Sequence, residues 1–279
     1  MDFNQAILYG LAVNSAYAVP PNDLTNRAGA IIQIGAANYE VVTCIYANDL
    51  ATDVNPDRGK SRVSIGLILQ AAAAGDVIIA VRGTEGYMEW IHDAQFLLVP
   101  CPFMPSAGNT EDGFTAMYRS MRIAVDPTSN TVAQAMTPAT FKRPVTSVTI
   151  CGHSLGGALA TLLALDVAVN SPFFPTAFTY ASPRTGDPQF VRTYNHLVPN
   201  TVRIANRLDA VPNLPFPPLY DHVIGEFPLN PVKVTIVPFS VTPLLKPNIE
   251  CLHILTSYLH LLSQQAGAPI IDLTADCLA

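Results

Sequence analysis

Ser154 is the residue whose type and context most directly predict chemistry. It lies in the segment GHSLGG at 152–157, which contains the pattern Gly-x-Ser-x-Gly between a β-branched run at 147–151 and an Ala- and Leu-rich run at 155–169. A sharp strand-to-helix turn strains the serine backbone and exposes its Oγ, and the flanking glycines let strand and helix pass closely. The helix N-terminus adds a positive dipole where an oxyanion would form. A plain helix N-cap is the alternative, but the flanking elements favour a nucleophile.

Asp209 is the best-placed acid to support such a nucleophile. A serine hydroxyl needs a base to remove its proton, and the base needs an acid to fix its tautomer. In strand–turn–helix folds that carry this motif, the acid and then the histidine follow the serine along the chain. Asp166 lies inside the predicted helix and points away from the site, and Asp187 is expected to cap a later helix. Asp209 follows the β-branched run 201–205, at the sheet edge where the serine is expected.

The candidate bases after the serine are His196, His222, His253 and His260. His196 precedes the acid and is expected on the surface. His222 lies past a proline-rich loop, and His253 lies where a loop enters the last predicted helix. His260 is two helical turns deeper and is expected to pack or cap. Spacing favours His253 as the base, and His222 stays open as the alternative.

The elements that must position these residues follow from apolar periodicity. Strand patterns and helix patterns alternate after residue 147, which predicts a mainly parallel sheet covered on both faces, with reactive groups at the carboxyl ends of its strands. The predicted helices are 3–18, 155–169, 188–195 and 249–265, and the predicted strands are 39–47, 63–69, 76–81, 147–151, 178–181, 201–205 and 233–237. The alanine run 71–74 is predicted as a hairpin turn, with a short helix as the alternative. No repeat or linker divides the chain, so we expect one domain.

Composition limits the partners. Hydrophobic residues make up 49% of the chain and charged residues 13%, which suits a large core and not disorder. A net charge of −6 without any basic run argues against binding to nucleic acid and to an anionic membrane surface. The longest apolar stretch, 155–169, contains Asp166 and two glycines and is too short to span a bilayer.

The cysteines and the N-terminus leave the compartment open. Five cysteines are widely spaced and form no CxxC pair: Cys44, Cys101, Cys151, Cys251 and Cys277. We expect buried thiols, with one disulfide as the alternative if the protein is exported. The first residues, MDFN, lack the positive region of a signal peptide. The expected location is therefore cytoplasmic, or secreted with its leader already removed.

Several other motifs follow in a fixed order along the chain. They are VIIAVRGT at 77–84 with Trp90 and Asp93 behind it, Gly113-Phe114, the Ser154 segment, YASPRTGD at 180–187, RIANRLDAVP at 203–212, HVIG at 222–225, and His253 with YLH at 258–260. The ordered set resembles the class 3 lipase family, the fungal-type triacylglycerol lipases and their plant and bacterial relatives. The resemblance implies a single α/β-hydrolase domain over 1–279. It also strengthens His253, because the family's base occupies the later position.

The resemblance implies an oxyanion hole and a lid. Thr84 would supply one oxyanion donor through its backbone N–H, and the backbone N–H of Leu155 points to the same place. The implied lid is about 85–92 and contains Tyr87, Met88, Trp90 and Ile91. Its mixture of apolar and charged residues suits an amphipathic cover over an acyl-binding cleft. The alternative is a surface turn whose tryptophan packs into the core.

The sequence thus predicts a serine ester hydrolase, most directly a lipase that cleaves acylglycerols through an acyl-enzyme intermediate. A feruloyl-type esterase and a phospholipase A1 on the same fold are alternatives. A non-catalytic lipid-binding protein is disfavoured because all three triad members are present. No metal or organic cofactor is expected, since His92 beside Asp93 has no third ligand nearby in sequence. The expected partners are a lipophilic ester and, transiently, a lipid–water interface.

Overall fold

The computed structural model describes residues 1–49, 61–83, 96–229, 250–274 and 277. The helices are α1 (Phe3–Tyr17), α2 (Asp112–Ser120), α3 (Val132–Ala135), α4 (Leu155–Asn170), α5 (Pro188–Leu197), α6 (Glu250–His253) and α7 (Leu255–Ala266). The strands are β1 (Ile31–Ile34), β2 (Ala37–Asn48), β3 (Arg62–Ala71), β4 (Asp76–Val81), β5 (Leu98–Pro100), β6 (Asn109–Glu111), β7 (Ser147–His153), β8 (Thr176–Tyr180), β9 (Thr201–Asn206) and β10 (Glu226–Leu229). The predicted strand 233–237 lies outside the described residues.

Eight strands form one sheet in the order β1-β2-β3-β4-β7-β8-β9-β10. The first four pair antiparallel, and β4, β7, β8, β9 and β10 pair parallel. Helix α4 connects β7 to β8, and α5 connects β8 to β9. Strands β5 and β6 form a separate antiparallel pair. The predicted sheet flanked by helices is confirmed, and β7, β8 and β9 direct their carboxyl ends to one edge.

Apolar side chains cover both faces of the sheet. Successive strand residues point to opposite faces, so Ile79 and Ile150 join the core under α4, whereas Ile78 and Cys151 join the core under α1 and α7. Every residue of α4 from Leu155 to Val167 is buried, which explains why its sequence is apolar on all sides. The site residues are therefore held between two packed layers.

The alanine run does form a turn, as predicted. Strand β3 ends at Ala71 and β4 begins at Asp76, and the two strands pair antiparallel from Gly66 with Val81 to Gln70 with Val77. The short-helix alternative fails because both flanking strands are tied into the sheet, which leaves too few residues for a stable helix.

The prediction of one continuous helix at 249–265 is wrong at Ile254. This residue has φ −58° and ψ 144°, an extended conformation that separates α6 from α7. The break frees the carbonyl of His253 from helical hydrogen bonding, and that oxygen accepts instead from Nε2 of His153 at 2.7 Å. A contact distant in sequence overrides the local helix pattern.

The cysteines do not all remain thiols. Cys251 and Cys277 form a disulfide, so the prediction of five buried thiols is wrong for this pair. Cys44, Cys101 and Cys151 are free and buried, as expected. The pairing was hidden in sequence because the chain turns back after α7 to bring Cys277 beside α6.

None of the described helices is long and apolar enough to cross a bilayer.

Candidate active site

Ser154 sits on a strained turn between β7 and α4. Its backbone has φ 58° and ψ −129°, a positive φ that L-residues rarely adopt. A Cβ at Gly152 would lie 2.1 Å from the carbonyl oxygen of Gly156, so only glycine permits this close approach. The turn is the geometry expected from the Gly-x-Ser-x-Gly pattern.

The structure brings the three predicted triad residues into one hydrogen-bonded chain. Nε2 of His253 lies 2.7 Å from Oγ of Ser154, and Nδ1 of His253 lies 2.8 Å from Oδ2 of Asp209. All three side chains are buried, and Ser154 as a residue is only 3% exposed. Carboxylate, imidazole and hydroxyl thus stand in the order needed to remove a proton from the serine.

Asp209 is held by donors on both carboxylate oxygens. The backbone N–H of Val211 donates to Oδ1 at 3.0 Å, and the hydroxyl of Tyr258 donates to Oδ2 at 2.7 Å. The same tyrosine hydroxyl accepts from the backbone N–H of Asn206 at 3.0 Å. Burial, and then the charge of Asp209, raise the pKa of Tyr258 well above its usual value, so it stays a donor.

The backbone of His253 is fixed by a second chain of buried polar groups. Nε2 of His153 donates to the carbonyl of His253, and the hydroxyl of Tyr17 donates to Nδ1 of His153 at 2.8 Å. The backbone N–H of Gly83 donates to the Tyr17 hydroxyl at 2.9 Å. Burial and the neighbouring His253 hold the pKa of His153 well below its usual range, so it is neutral and has one donor and one acceptor nitrogen.

Of the two predicted oxyanion donors, Leu155 lies among the described residues. Leu155 is the first residue of α4, where backbone N–H groups have no acceptor within the helix. Gly83 packs against the nucleophile, since a Cβ built on it would lie 3.1 Å from Cβ of Ser154. Thr84 follows Gly83 directly but lies outside the described residues. The predicted lid, with Tyr87, Met88, Trp90 and Ile91, also lies outside them.

The other candidate residues are engaged elsewhere. His222 Nε2 donates to the carbonyl of Pro212, and His260 Nδ1 lies 2.7 Å from the carbonyl of Ile271. Asp166 accepts from Tyr118 and Asn170 on the far part of α4, and Asp187 caps α5 through the N–H of Phe190. His196 is exposed at the end of α5. Of the histidines in the described part of the chain, His253 is the one bonded to Ser154.

Sequence reasoning missed the supporting residues Tyr17, His153 and Tyr258. His153 carried a weak signal, because it stands next to the nucleophile in a buried strand. Tyr258 carried another, since it lies five residues after the candidate base in the YLH motif. Tyr17 carried none, because it is 136 residues from its partner His153.

Within the described ranges, no cluster of three His, Cys, Asp or Glu side chains forms a metal site.

The chain is similar to known lipases and phospholipases. The family profile described as Lipase (class 3) matches residues 78–218. Phospholipase A1-IIgamma of Arabidopsis thaliana is 31% identical over 222 residues, which cover 71% of this chain and 51% of that protein. The chain thus spans about half the length of the first curated relatives it matches.

Solved lipase structures share the fold. A crystal structure of a fungal lipase matches with a TM-score of 0.67 at 21% identity, covering 93% of this chain and 96% of that one. Lip2 lipase from Yarrowia lipolytica matches with a TM-score of 0.61 at 22% identity, covering 82% of this chain and 78% of that one. This likeness confirms the α/β-hydrolase fold.

Proposed function

Because the chain belongs to the class 3 lipase family, we propose that it is a serine ester hydrolase acting on lipophilic esters, most directly acylglycerols. The observation that carries the proposal is the hydrogen-bonded chain from Ser154 Oγ through His253 to Asp209. The strained turn at Ser154 adds support, since it places the hydroxyl at the carboxyl edge of the sheet. The chemistry needs no cofactor, because each proton moves between groups of the chain and the substrate.

In the proposed mechanism, His253 takes the proton of Ser154 as Oγ attacks the ester carbonyl. Asp209 stabilises the imidazolium that forms and keeps Nδ1 protonated. The backbone N–H groups of Leu155 and Thr84 receive the negative charge of the tetrahedral oxygen. His253 then returns the proton to the leaving alcohol, and a water molecule hydrolyses the acyl-enzyme by the same steps.

A phospholipase A1 activity is the second candidate. It is favoured by the 31% identity to Phospholipase A1-IIgamma, which exceeds the identity to the lipase structures described above. The fold and the triad geometry serve both ester classes equally, because the reacting carbonyl is the same. The choice between them depends on the groups that contact the rest of the substrate.

Substrate access also enters the proposal. Ser154 is 3% exposed as a residue, and we propose that a conformational change widens the access of an ester to its Oγ. We assign that change to the segment 85–92 and expect it to open at a lipid surface, which would rebury its apolar side chains. The test is a change in Trp90 fluorescence on adding an emulsion, with a rise in rate above substrate solubility. An unchanged spectrum and rate would identify the segment as a fixed turn.

An ester panel tests the function. Purified protein is assayed on emulsified trioleoylglycerol, soluble short-chain triglyceride, phosphatidylcholine labelled at sn-1, and methyl ferulate, with Ser154→Ala as the matched control. We expect Ser154-dependent release of fatty acid from the glycerides. Faster release from the sn-1 position of phosphatidylcholine would assign phospholipase A1 activity. Hydrolysis of methyl ferulate alone, or no hydrolysis of any ester by folded protein, would contradict the proposal.

A further inference from the structure

A cavity borders the loop that carries Asp209. Its volume is about 360 Å³, and its lining includes Arg184, Arg203, Arg207, Asn206, His222 and Glu226. We call it the arginine cavity. Neither Ser154 nor His253 lines it, so it is separate from the esterase chemistry. The volume falls in the range of pockets that hold small ligands.

The positive charges in the arginine cavity are only partly neutralised. Arg203, whose side chain is 4% exposed, pairs with Oε2 of Glu226 at 2.5 Å. Arg184 donates from Nη1 to the backbone carbonyl of Asn213 and, at 2.9 Å, to that of Pro215, and neither acceptor carries a charge. Arg207 is exposed at its rim. Asp221 is the other acid whose charge acts on Arg184 and Arg203. The residues that line the cavity thus carry three guanidinium groups and one carboxylate, that of Glu226.

His222 lines the cavity but adds no positive charge to it. Burial, and then the charge of Arg203, lower the pKa of His222 to about 3. The ring is therefore neutral at physiological pH and donates its Nε2 proton to the carbonyl of Pro212 at 2.6 Å. The remaining charge in the cavity comes from the arginines, and an anion would relieve their mutual repulsion.

We propose that the arginine cavity binds a phosphate group. A guanidinium presents a rigid fork of N–H donors that matches phosphate oxygens, and Arg is the preferred residue for such recognition. A phosphate has enough oxygens to accept from several arginines at once, whereas a carboxylate matches one fork. The site goes beyond the proposed ester hydrolysis and does not depend on it.

Apolar side chains on the same loops point to a lipid as the source of the phosphate. Leu208, Phe216 and Leu219 are between 50% and 69% exposed. Leu208 adjoins Arg207 in sequence, and Phe216 follows Pro215, the residue that binds Arg184. A lipid surface would receive these side chains while its headgroup phosphate entered the cavity. Arg184 lies in a different loop from Arg203 and Arg207, so the sequence shows no basic run that would reveal the cluster.

Inorganic phosphate is the first probe. Titration calorimetry at constant ionic strength should detect one phosphate per protein. Arg207→Gln should weaken binding about tenfold, as expected for loss of a charge-assisted hydrogen bond. Arg207→Lys keeps the charge but loses the fork, so it should restore binding only in part. Arg207 is exposed, so these variants fold; Arg192→Gln, on the exposed face of α5, is the matched control.

Vesicles distinguish the two sources of phosphate. Ser154→Ala protein, which cannot hydrolyse the lipid, is sedimented with vesicles of phosphatidylcholine and phosphatidylglycerol. If Arg207→Gln reduces vesicle binding and inorganic phosphate competes with it, the ligand of the cavity is a lipid headgroup. Phosphate binding without vesicle binding assigns a soluble phosphate compound, and both results support the site. No phosphate binding by folded wild-type protein, or equal affinity in the Arg207→Gln and Arg192→Gln variants, overturns it.

Discussion

At the scale of single residues, the site depends on hydrogen bonds that fix Asp209 and His253 before any substrate arrives. A buried carboxylate is costly unless donors compensate it, and Asp209 receives Val211 N–H, Tyr258 O–H and the Nδ1 proton of His253. His253 is held from its backbone by His153. The geometry for proton transfer therefore exists in the free protein, which is the arrangement that lowers reorganisation during catalysis.

The role of His253 is testable by comparison among histidines. His253→Ala should lower kcat on a soluble ester by several orders of magnitude, as loss of a triad member does. His260→Ala is the control, because its side chain binds the C-terminal segment at Ile271 and not the triad. The measurement is kcat on folded protein, verified by circular dichroism. Retained activity in His253→Ala together with loss in His222→Ala would assign the base to His222.

The positions of the triad were predictable because each follows from local context. Ser154 has a flanking strand and helix, Asp209 follows a strand, and His253 lies where a loop enters the last predicted helix. Tyr17 and Tyr258 were not predictable in the same way. Their hydrogen bonds cross 136 and 49 residues of sequence, and such contacts depend on how α1 and α7 pack together.

At the scale of elements, α6 is a short helix that needs outside support. It has four residues, too few for a stable isolated helix. Asn206 Nδ2 donates to the carbonyl of Leu252, and the disulfide to Cys277 anchors Cys251. His253, the last residue of α6, is two positions from that bond. We propose that the protein works in an oxidising compartment, since disulfides persist there.

The disulfide should contribute measurably to stability. Cys277→Ser should lower the free energy of unfolding by about 3 kcal/mol, because the bond closes a loop with a sequence separation of 26 residues. Activity should fall as well, since α6 loses its anchor beside His253. Cys44→Ser, at a free cysteine, provides the control for thiol chemistry. Identical urea midpoints for wild type with and without reductant would contradict this role.

Element types followed from sequence patterns, but boundaries and breaks did not. Apolar alternation predicted the hairpin around the alanine run, and both strands are present. The same reasoning extended the last helix through Ile254, because Ile249 to Gln265 is apolar at helical spacing. The extended backbone there accompanies a hydrogen bond from the buried His153, brought in by β7. Local helix propensity is weak compared with such tertiary contacts.

At the scale of the whole molecule, folding buries titratable groups that respond to pH in opposite directions. His153 and His222 have lowered pKa values, chiefly through burial, so the folded state binds fewer protons than the unfolded state. Asp166 and Glu111 have pKa values raised by burial, so they act in the opposite sense. The pH dependence of stability is the sum of these contributions.

His222 gives this balance a testable component. Its folded pKa is about 3, below the unfolded value of about 6.5, so its stabilising contribution is present above pH 6.5 and is lost as the pH falls towards 3. Through His222, the free energy of unfolding of wild type should fall by about 2–3 kcal/mol between pH 7 and pH 4. The His222→Gln variant should lack this contribution. Urea unfolding at both pH values measures it, with His196→Gln as the exposed control. Parallel pH profiles for wild type and His222→Gln would contradict the assignment.

The most direct test of the account is covalent labelling of the nucleophile. A fluorophosphonate probe should react with the folded protein once, and peptide mass spectrometry should place the adduct on Ser154, because Oγ is activated by His253 at 2.7 Å. Ser154→Ala protein with an unchanged circular dichroism spectrum should take up no probe and lose ester hydrolysis by several orders of magnitude. An adduct on another residue, or a Ser154→Ala variant that keeps about a tenth of wild-type turnover, would show that Ser154 is not the nucleophile.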